Sequence, residues 1–170
     1  MERSFRKEVQ SLRLGQGDTF YGEGILAVTK GLLQSGVSYV GGYQGAPISH
    51  LMDVLADAQG ILDELGVHLE TCANEAGAAA MLGASINYPL RGAVTWKATV
   101  GTNVASDALS NLASAGVKGG ALIVVGEDYG EGASIIQERS HAFAMKSQIW
   151  LLDPRPNLTT IVDMVEKGFQ

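Results

Sequence analysis

Short apolar segments alternate with segments of helical periodicity along almost the whole chain. The apolar segments are rich in Val and Ile and predict strands at 37–40, 67–70, 92–96, 121–125 and 149–152. The segments between them predict helices from 18 to the glycine at 36 and at 49–58, 74–87, 104–115, 135–146 and from 158 onward. Strands that alternate with helices form a mainly parallel sheet covered on both faces, so we expect a three-layer α/β fold.

Length and composition limit the chain to one domain and exclude several classes of function. The 170 residues suffice for one core, and we expect a polar lead-in at 1–17 and an α/β domain at 18–170 that is part of a longer chain. The net charge of −6 argues against binding to nucleic acid or to an anionic membrane. Cys72 is the single cysteine, so this chain alone holds no iron–sulfur cluster. No apolar run has transmembrane length and no signal-peptide core is present, which favours the cytoplasm.

The loops that follow the predicted strands carry the unusual side chains. Gly41 to Pro47 form a glycine-rich loop, which is either a plain turn or a pocket floor with Tyr43 and Gln44 facing a ligand. Lys97 to Asn103 form a second polar loop, in which Lys97 faces either solvent or a cleft. Ligands of open α/β sheets bind at the carboxyl ends of the strands, so these loops are the first candidates for a site.

Glu75 lies where a predicted strand meets a predicted helix that continues in small residues. Asn74 is a suitable N-cap, and a carboxylate in the first turn suits the helix dipole. Glu75 is therefore either a helix-start carboxylate or a functional group with room for a ligand or a partner surface beside it.

Two other groups of residues give weaker signals. The histidines His50, His68 and His141 lack metal-ligand spacing, and no metal site is predicted. Glu127, Asp128 and Glu131 crowd one loop, which we interpret as a solvated acidic loop rather than a cation site.

Four segments taken in order resemble one family of enzymes. They are Gly42-Tyr43-Gln44-Gly45-Ala46-Pro47, Asn74-Glu75, Lys97–Asp107, and Gly116-Val117-Lys118-Gly119-Gly120 with the strand Leu122–Val125. This series resembles the pyrimidine-binding domain of thiamine diphosphate enzymes, most closely the amino-terminal domain of the alpha subunit of indolepyruvate ferredoxin oxidoreductases. These enzymes belong to the 2-oxoacid:ferredoxin oxidoreductases. The similarity covers most of residues 18–165.

The resemblance implies a role for each candidate residue. The residue equivalent to Glu75 hydrogen-bonds the pyrimidine ring and activates the cofactor, and a partner domain that walls this carboxyl from water would help it to hold a proton. The residues implied in cofactor binding are Tyr43, Gln44, Gly45, Ala46, Pro47 and Asn103. Weaker candidates for contact with the substrate are Lys97, Thr99 and His50.

The implied reaction is the oxidative decarboxylation of a 2-oxoacid to an acyl-CoA, with ferredoxin as acceptor and coenzyme A as co-substrate. The family commonly has Tyr-Pro-Gly-Thr-Pro in the first loop, whereas this chain has Gln44 and Ala46 at the second and fourth places. Loss of the threonine hydroxyl puts the substrate in question, and the resemblance suggests an aryl-pyruvate such as indolepyruvate.

Thiamine enzymes hold the cofactor diphosphate through a Gly-Asp-Gly run with a downstream Asn, which is missing from this sequence. The resemblance therefore implies that the diphosphate, magnesium and iron–sulfur clusters are held by a partner domain or beta subunit, in a homo- or hetero-oligomer. Two alternatives remain open: a non-oxidative thiamine-dependent 2-oxoacid decarboxylase, and a non-catalytic α/β module that binds a nucleotide or a partner.

Overall fold

The computed structural model describes residues 3–130, 132–137 and 139–170 and has a parallel sheet at its centre. The strands are β1 Tyr39–Gly42, β2 His68–Thr71, β3 Arg91–Lys97 and β4 Gly120–Gly126. Their order in the sheet is β2-β1-β3-β4, and every neighbouring pair is parallel. Gly42 at the end of β1 pairs with Thr71 on one side and Thr95 on the other, so the carboxyl ends of these strands lie at one edge.

Nine α-helices among the described residues surround this sheet. They are α1 Gly24–Gln34, α2 Ser49–Asp57, α3 Gln59–Leu65, α4 Glu75–Met81, α5 Ala84–Asn87, α6 Val100–Val104, α7 Ser106–Ala115, α8 His141–Ser147 and α9 Leu158–Gly168. None of them is long and apolar enough to cross a membrane.

The sheet separates two apolar cores, because neighbouring residues of a strand point to opposite faces. On one face Val40 and Ala93 pack with residues of α1, α2, α3 and α9. On the other face Tyr39, Val94 and Trp96 pack with residues of α4 and α7. The predicted three-layer α/β fold with a parallel sheet is confirmed.

The described part of the lead-in is folded onto this framework. Glu8–Arg13 form a 3₁₀ helix, and Phe5, Val9 and Leu12 are buried against α1 and α2. The Lys30 ammonium donates to the carbonyl of Leu12 at 2.7 Å and closes the end of that helix. The segment predicted as a polar lead-in therefore contributes three apolar side chains to a core.

Several predicted elements differ from the structure. The helix predicted at 135–146 is confirmed only over α8, His141–Ser147, and the helix predicted from 18 begins at Gly24. The predicted strand at 149–152 is wrong: the segment is irregular, and Trp150 is 78% exposed. The predicted helix at 74–87 divides into α4 and α5, since the N–H groups of Leu82 and Gly83 bond to carbonyls three residues back. The predicted loop at 97–103 contains most of α6.

Candidate functional site

The carboxyl edge of the sheet includes the point where the chain order reverses. From β1 the chain passes to β2 on one side, whereas β3 and β4 lie on the other side. Open α/β sheets bind ligands at such a point. Both polar loops identified from the sequence begin here.

Glu75 is the first residue of α4, which begins just beyond the carboxyl end of β2. The Asn74 side chain accepts a hydrogen bond from the Gly77 N–H at 2.8 Å, which confirms Asn74 as the N-cap. Glu75 is only 8% exposed as a residue, and its carboxylate has no hydrogen-bond or ion-pair partner among the described residues, although its oxygens are not sealed from solvent. An acceptor without a protein partner is available to a ligand.

Helix α6 closes one side of the Glu75 carboxyl. A Cβ on Gly101 would lie 2.6 Å from Cδ1 of Trp96 and 3.0 Å from Cγ of Glu75, so only glycine allows this approach. The fully buried Trp96 indole is itself fixed, since its Nε1 donates to Oγ1 of Thr102 at 3.1 Å. The sequence analysis did not single out Gly101 or Trp96 as parts of the site.

The loop after β1, residues 43–48, crosses the ends of β3 and β4. The Tyr43 N–H donates to the Thr95 carbonyl at 3.0 Å and extends the strand pairing by one residue. A Cβ on Gly45 would lie 2.9 Å from Cβ of Lys97, and a Cβ on Gly126 would lie 2.5 Å from Cβ of Ile48. The loop is thus packed directly onto the strand ends.

The outer surface of this loop faces solvent. Tyr43, Gln44 and Ala46 are exposed, and Ala46–Pro47 is a cis peptide bond. These side chains are open to contact with a ligand, and the pocket floor stays a prediction.

Lys97 lies at the end of β3, with its stem beneath Gly45. Its ammonium donates to Oγ of Ser134, in the loop after β4. Because Trp96 packs on the α4 face, the neighbouring Lys97 points to the opposite face of the sheet. The structure therefore joins Lys97 to Gly45 and Glu75 to Gly101, on opposite sides of the sheet edge.

The other residues predicted to contact the cofactor or the substrate lie at separate positions in the structure. Thr99 is buried beside α6, and its Oγ1 has no hydrogen-bond partner in the described part of the chain. Asn103 is exposed on α6, and its N–H donates to the Thr99 carbonyl at 2.7 Å. His50 lies on α2 and contacts Phe5 edge-on at 5.6 Å between ring centroids, so it is engaged with the amino-terminal segment.

The loop after β4 is organised around two carboxylates. N–H groups of Ala133, Ser134 and Gly132 donate to Asp128 and, with the Lys97 charge, hold the pKa of that carboxyl below its usual value. For Glu127, burial alone would raise the pKa.

Hydrogen bonds reverse that tendency at Glu127. The Tyr129 hydroxyl and the Ser140 N–H donate to this carboxylate and lower its pKa overall. Asp128 and Glu127 are thus used as acceptors for protein N–H and O–H groups, whereas Glu131 lies outside the described residues. No group of three His, Cys, Asp or Glu side chains in the described ranges could hold a metal ion.

The sequence is similar to curated oxidoreductase subunits over most of its length. It is 28% identical over 159 residues to "Indolepyruvate oxidoreductase subunit IorA" of Methanothermobacter marburgensis, which covers 94% of this chain and 25% of the relative. It is 29% identical over 144 residues to the IorA subunit of Pyrococcus abyssi, which covers 85% of this chain and 22% of the relative. The resemblance to the 2-oxoacid:ferredoxin oxidoreductases is confirmed. The chain spans about a quarter or less of the length of these relatives.

A solved structure of a 2-oxoacid:ferredoxin oxidoreductase has the same fold. It is the 2-oxoglutarate:ferredoxin oxidoreductase from Magnetococcus marinus with 2-oxoglutarate, coenzyme A and succinyl-CoA bound. The TM-score is 0.65 at 18% identity, and the match covers 92% of this chain and 30% of that chain. No family model matches the sequence.

Proposed function

We propose that this chain is the pyrimidine-binding part of a thiamine diphosphate-dependent 2-oxoacid:ferredoxin oxidoreductase. The observation that carries the proposal is Glu75 at the carboxyl edge of the sheet: the residue is only 8% exposed, and its carboxylate has no partner among the described residues. The similarity to IorA subunits supports the same reaction class.

The residues around Glu75 fit a pyrimidine ring. The carboxyl is an acceptor without a protein partner in the described ranges, and Gly101 leaves no Cβ beside it. Thiamine diphosphate, when bound, supplies the nucleophile and the electron sink that decarboxylation of a 2-oxoacid requires. Glu75 would hold or move a proton at a ring nitrogen, and burial under a partner domain would keep water from that hydrogen bond.

The other predicted site residues have narrower proposed roles. Tyr43, Gln44, Gly45, Ala46 and Pro47 would form the pocket floor, and Asn103 would contact the cofactor from α6. Lys97 and Thr99 would contact the substrate; the unpartnered, buried Oγ1 of Thr99 supports a polar role there. His50, engaged with Phe5, is the weakest of the substrate candidates.

The assembled enzyme needs groups that we place on other parts of the complex. We propose that a diphosphate-binding domain or beta subunit holds the diphosphate and magnesium, and that the iron–sulfur clusters pass electrons to ferredoxin. The substrate would be an aryl-pyruvate such as indolepyruvate, converted with coenzyme A to an acyl-CoA. The complex would be an oligomer in the cytoplasm.

An anaerobic assay of the assembled complex tests this proposal. Arylpyruvate-dependent reduction of a viologen is measured with thiamine diphosphate, magnesium and coenzyme A, for wild type and for Glu75→Gln. We expect a loss of at least about 100-fold in the variant, in line with removal of a general acid–base group. Activity without coenzyme A or an electron acceptor would instead indicate a non-oxidative decarboxylase.

Glu70→Gln is the matched control, because Glu70 is an exposed carboxylate on the neighbouring strand β2. It makes an ion pair with His68 at 3.4 Å, and we expect its loss to leave turnover unchanged. Equal activity of wild type and Glu75→Gln would show that Glu75 serves only as a carboxylate at the start of a helix.

A further inference from the structure

Ser134 is the point at which the loop after β4 is fixed to the carboxyl edge of the sheet. Its N–H donates to Asp128, and its Oγ accepts from the Lys97 ammonium and from the Ile136 N–H, the latter at 3.2 Å. Its carbonyl accepts from Nε2 of Gln137 at 2.8 Å. Four hydrogen bonds thus fix this one residue beside the end of β3.

Ile135 follows this fixed point and has no apolar environment of its own. It is 90% exposed, the largest exposed fraction among the large apolar side chains described, and the neighbouring Ile136 is also exposed. At this exposure Ile135 contributes almost no apolar burial to the described fold, so its side chain is open to a ligand. Because Ser134 is bonded to Lys97, Ile135 is held one residue from the contact that positions the Lys97 ammonium.

We propose that Lys97 and Ile135 together select the substrate: Lys97 binds the carboxylate of the 2-oxoacid, and Ile135 packs against its apolar side chain. This assignment rests on the proposed function. An ammonium beside an exposed aliphatic side chain fits a molecule with an anionic head and an apolar body. Asp128 and Ser134 are then positioning residues, which aim Lys97 and Ile135 without touching the substrate's reacting carbon.

Replacement of the Ser134 hydroxyl by a substrate carboxylate as the acceptor for the Lys97 ammonium is energetically favourable. In the unbound chain the ammonium donates to a neutral hydroxyl, that of Ser134. Both bonds have the charged ammonium as donor, but a carboxylate adds a Coulomb attraction that the neutral hydroxyl lacks. A substrate carboxylate therefore displaces the hydroxyl, while the backbone bonds of Ser134 to Asp128 and Gln137 keep the loop in place.

The decisive experiment compares kcat/KM for phenylpyruvate and for pyruvate in the assembled complex. We expect Ile135→Ser to lower kcat/KM for phenylpyruvate roughly tenfold and to leave pyruvate within about twofold, because only the larger substrate reaches this side chain. Leu65→Ser is the matched control: Leu65 is an exposed aliphatic residue at the end of α3, and its loss should change neither value.

The role of Lys97 in binding the substrate is tested by measuring KM and kcat separately. Lys97→Met should raise KM for both substrates by about tenfold or more with kcat nearly unchanged, and Lys97→Arg should restore much of the loss. Ser134→Ala should give a smaller rise in KM, as expected for a positioning residue.

The outcomes separate this assignment from the function on which it rests. An active wild type whose substrate preference is unchanged by Ile135→Ser, or a Lys97→Met variant with unchanged KM, would overturn the assignment alone. A wild type that turns over no 2-oxoacid would overturn the proposed function and the assignment together. Loss of turnover in Glu75→Gln, together with an unchanged kcat/KM of Ile135→Ser for phenylpyruvate, supports the function and rejects the assignment.

Discussion

The loop after β1 is held to the sheet by close packing of backbone, whereas the loop after β4 is held by ionised carboxylates. In the first loop Gly45 lies against Lys97 and Ile48 against Gly126, at distances that leave no room for an added methyl group. In the second loop Asp128 and Glu127 accept hydrogen bonds from backbone N–H groups while partly exposed to water.

This difference gives the two loops different sensitivities. Packing contacts are insensitive to pH and salt but intolerant of added volume. Hydrogen bonds to exposed carboxylates are weakened by solvent and lost when the carboxylate is protonated. The candidate site therefore has a rigid floor, formed by the loop after β1, and a more adjustable wall, formed by the loop after β4.

The largest effect is expected from adding volume to the rigid loop. In Gly126→Ala the new Cβ would lie 2.5 Å from Cβ of Ile48, so backbone must move. Overpacking of this kind costs about 1–3 kcal/mol of the free energy of unfolding. Thermal or urea unfolding measures the loss.

Gly60→Ala is the control for that substitution. No atom lies within 4 Å of the Cβ position at Gly60, which is in helix α3. Because alanine is the better helix former, this variant should be more stable by up to about 1 kcal/mol. An equal effect of both substitutions would show that the loop after β1 is not tightly packed.

A smaller, local effect is expected from acid. The pKa values of Asp128 and Glu127 are lowered by their hydrogen bonds, so their contribution to stability is complete above about pH 4 to 5, the usual range of these groups in unfolded chains. It is lost as the pH falls through the lowered values. In an NMR titration the amides of Ala133 and Ser140 should shift in acid while the Tyr43 amide does not. Simultaneous movement of all three would contradict the division into two kinds of loop.

The smallest effect is expected from Tyr129→Phe. The Tyr129 hydroxyl donates to Glu127, and its ring lies 4.6 Å from the Arg139 guanidinium carbon. Phenylalanine keeps the ring contact and removes only the hydrogen bond. The acid midpoint of the Ser140 amide should therefore move slightly upward, and that of the Ala133 amide should stay where it is.

Sequence periodicity predicted the sheet better than it predicted the last third of the chain. The four predicted strands that became β1 to β4 lie within about two residues of their predicted positions, since alternation of strands and helices is a strong pattern. The segment Ile149–Leu152 has the composition of a strand but no strand among the described residues pairs with it. Composition alone does not supply a hydrogen-bonding partner.

The candidate site shows the same limit at the level of side chains. The strand–helix junction, the Asn74 cap and the polar loops could all be identified from local sequence. The contact of Gly101 with Trp96 and Glu75, and the bond from Lys97 to Ser134, join residues whose proximity depends on the folded sheet. Glycine at position 101 gave one available signal, because a glycine inside a helix costs stability and needs a packing reason.

The two outer edges of the sheet have a practical consequence for handling this protein. The β2 edge is only four residues long and carries the polar side chains of His68 and Glu70, features that discourage pairing with another chain. The β4 edge is seven residues long and consists of apolar residues and glycine, with no further strand beside it in the described chain. When concentrated alone, the protein should self-associate through β4, and a lysine placed on that edge should keep it dispersed.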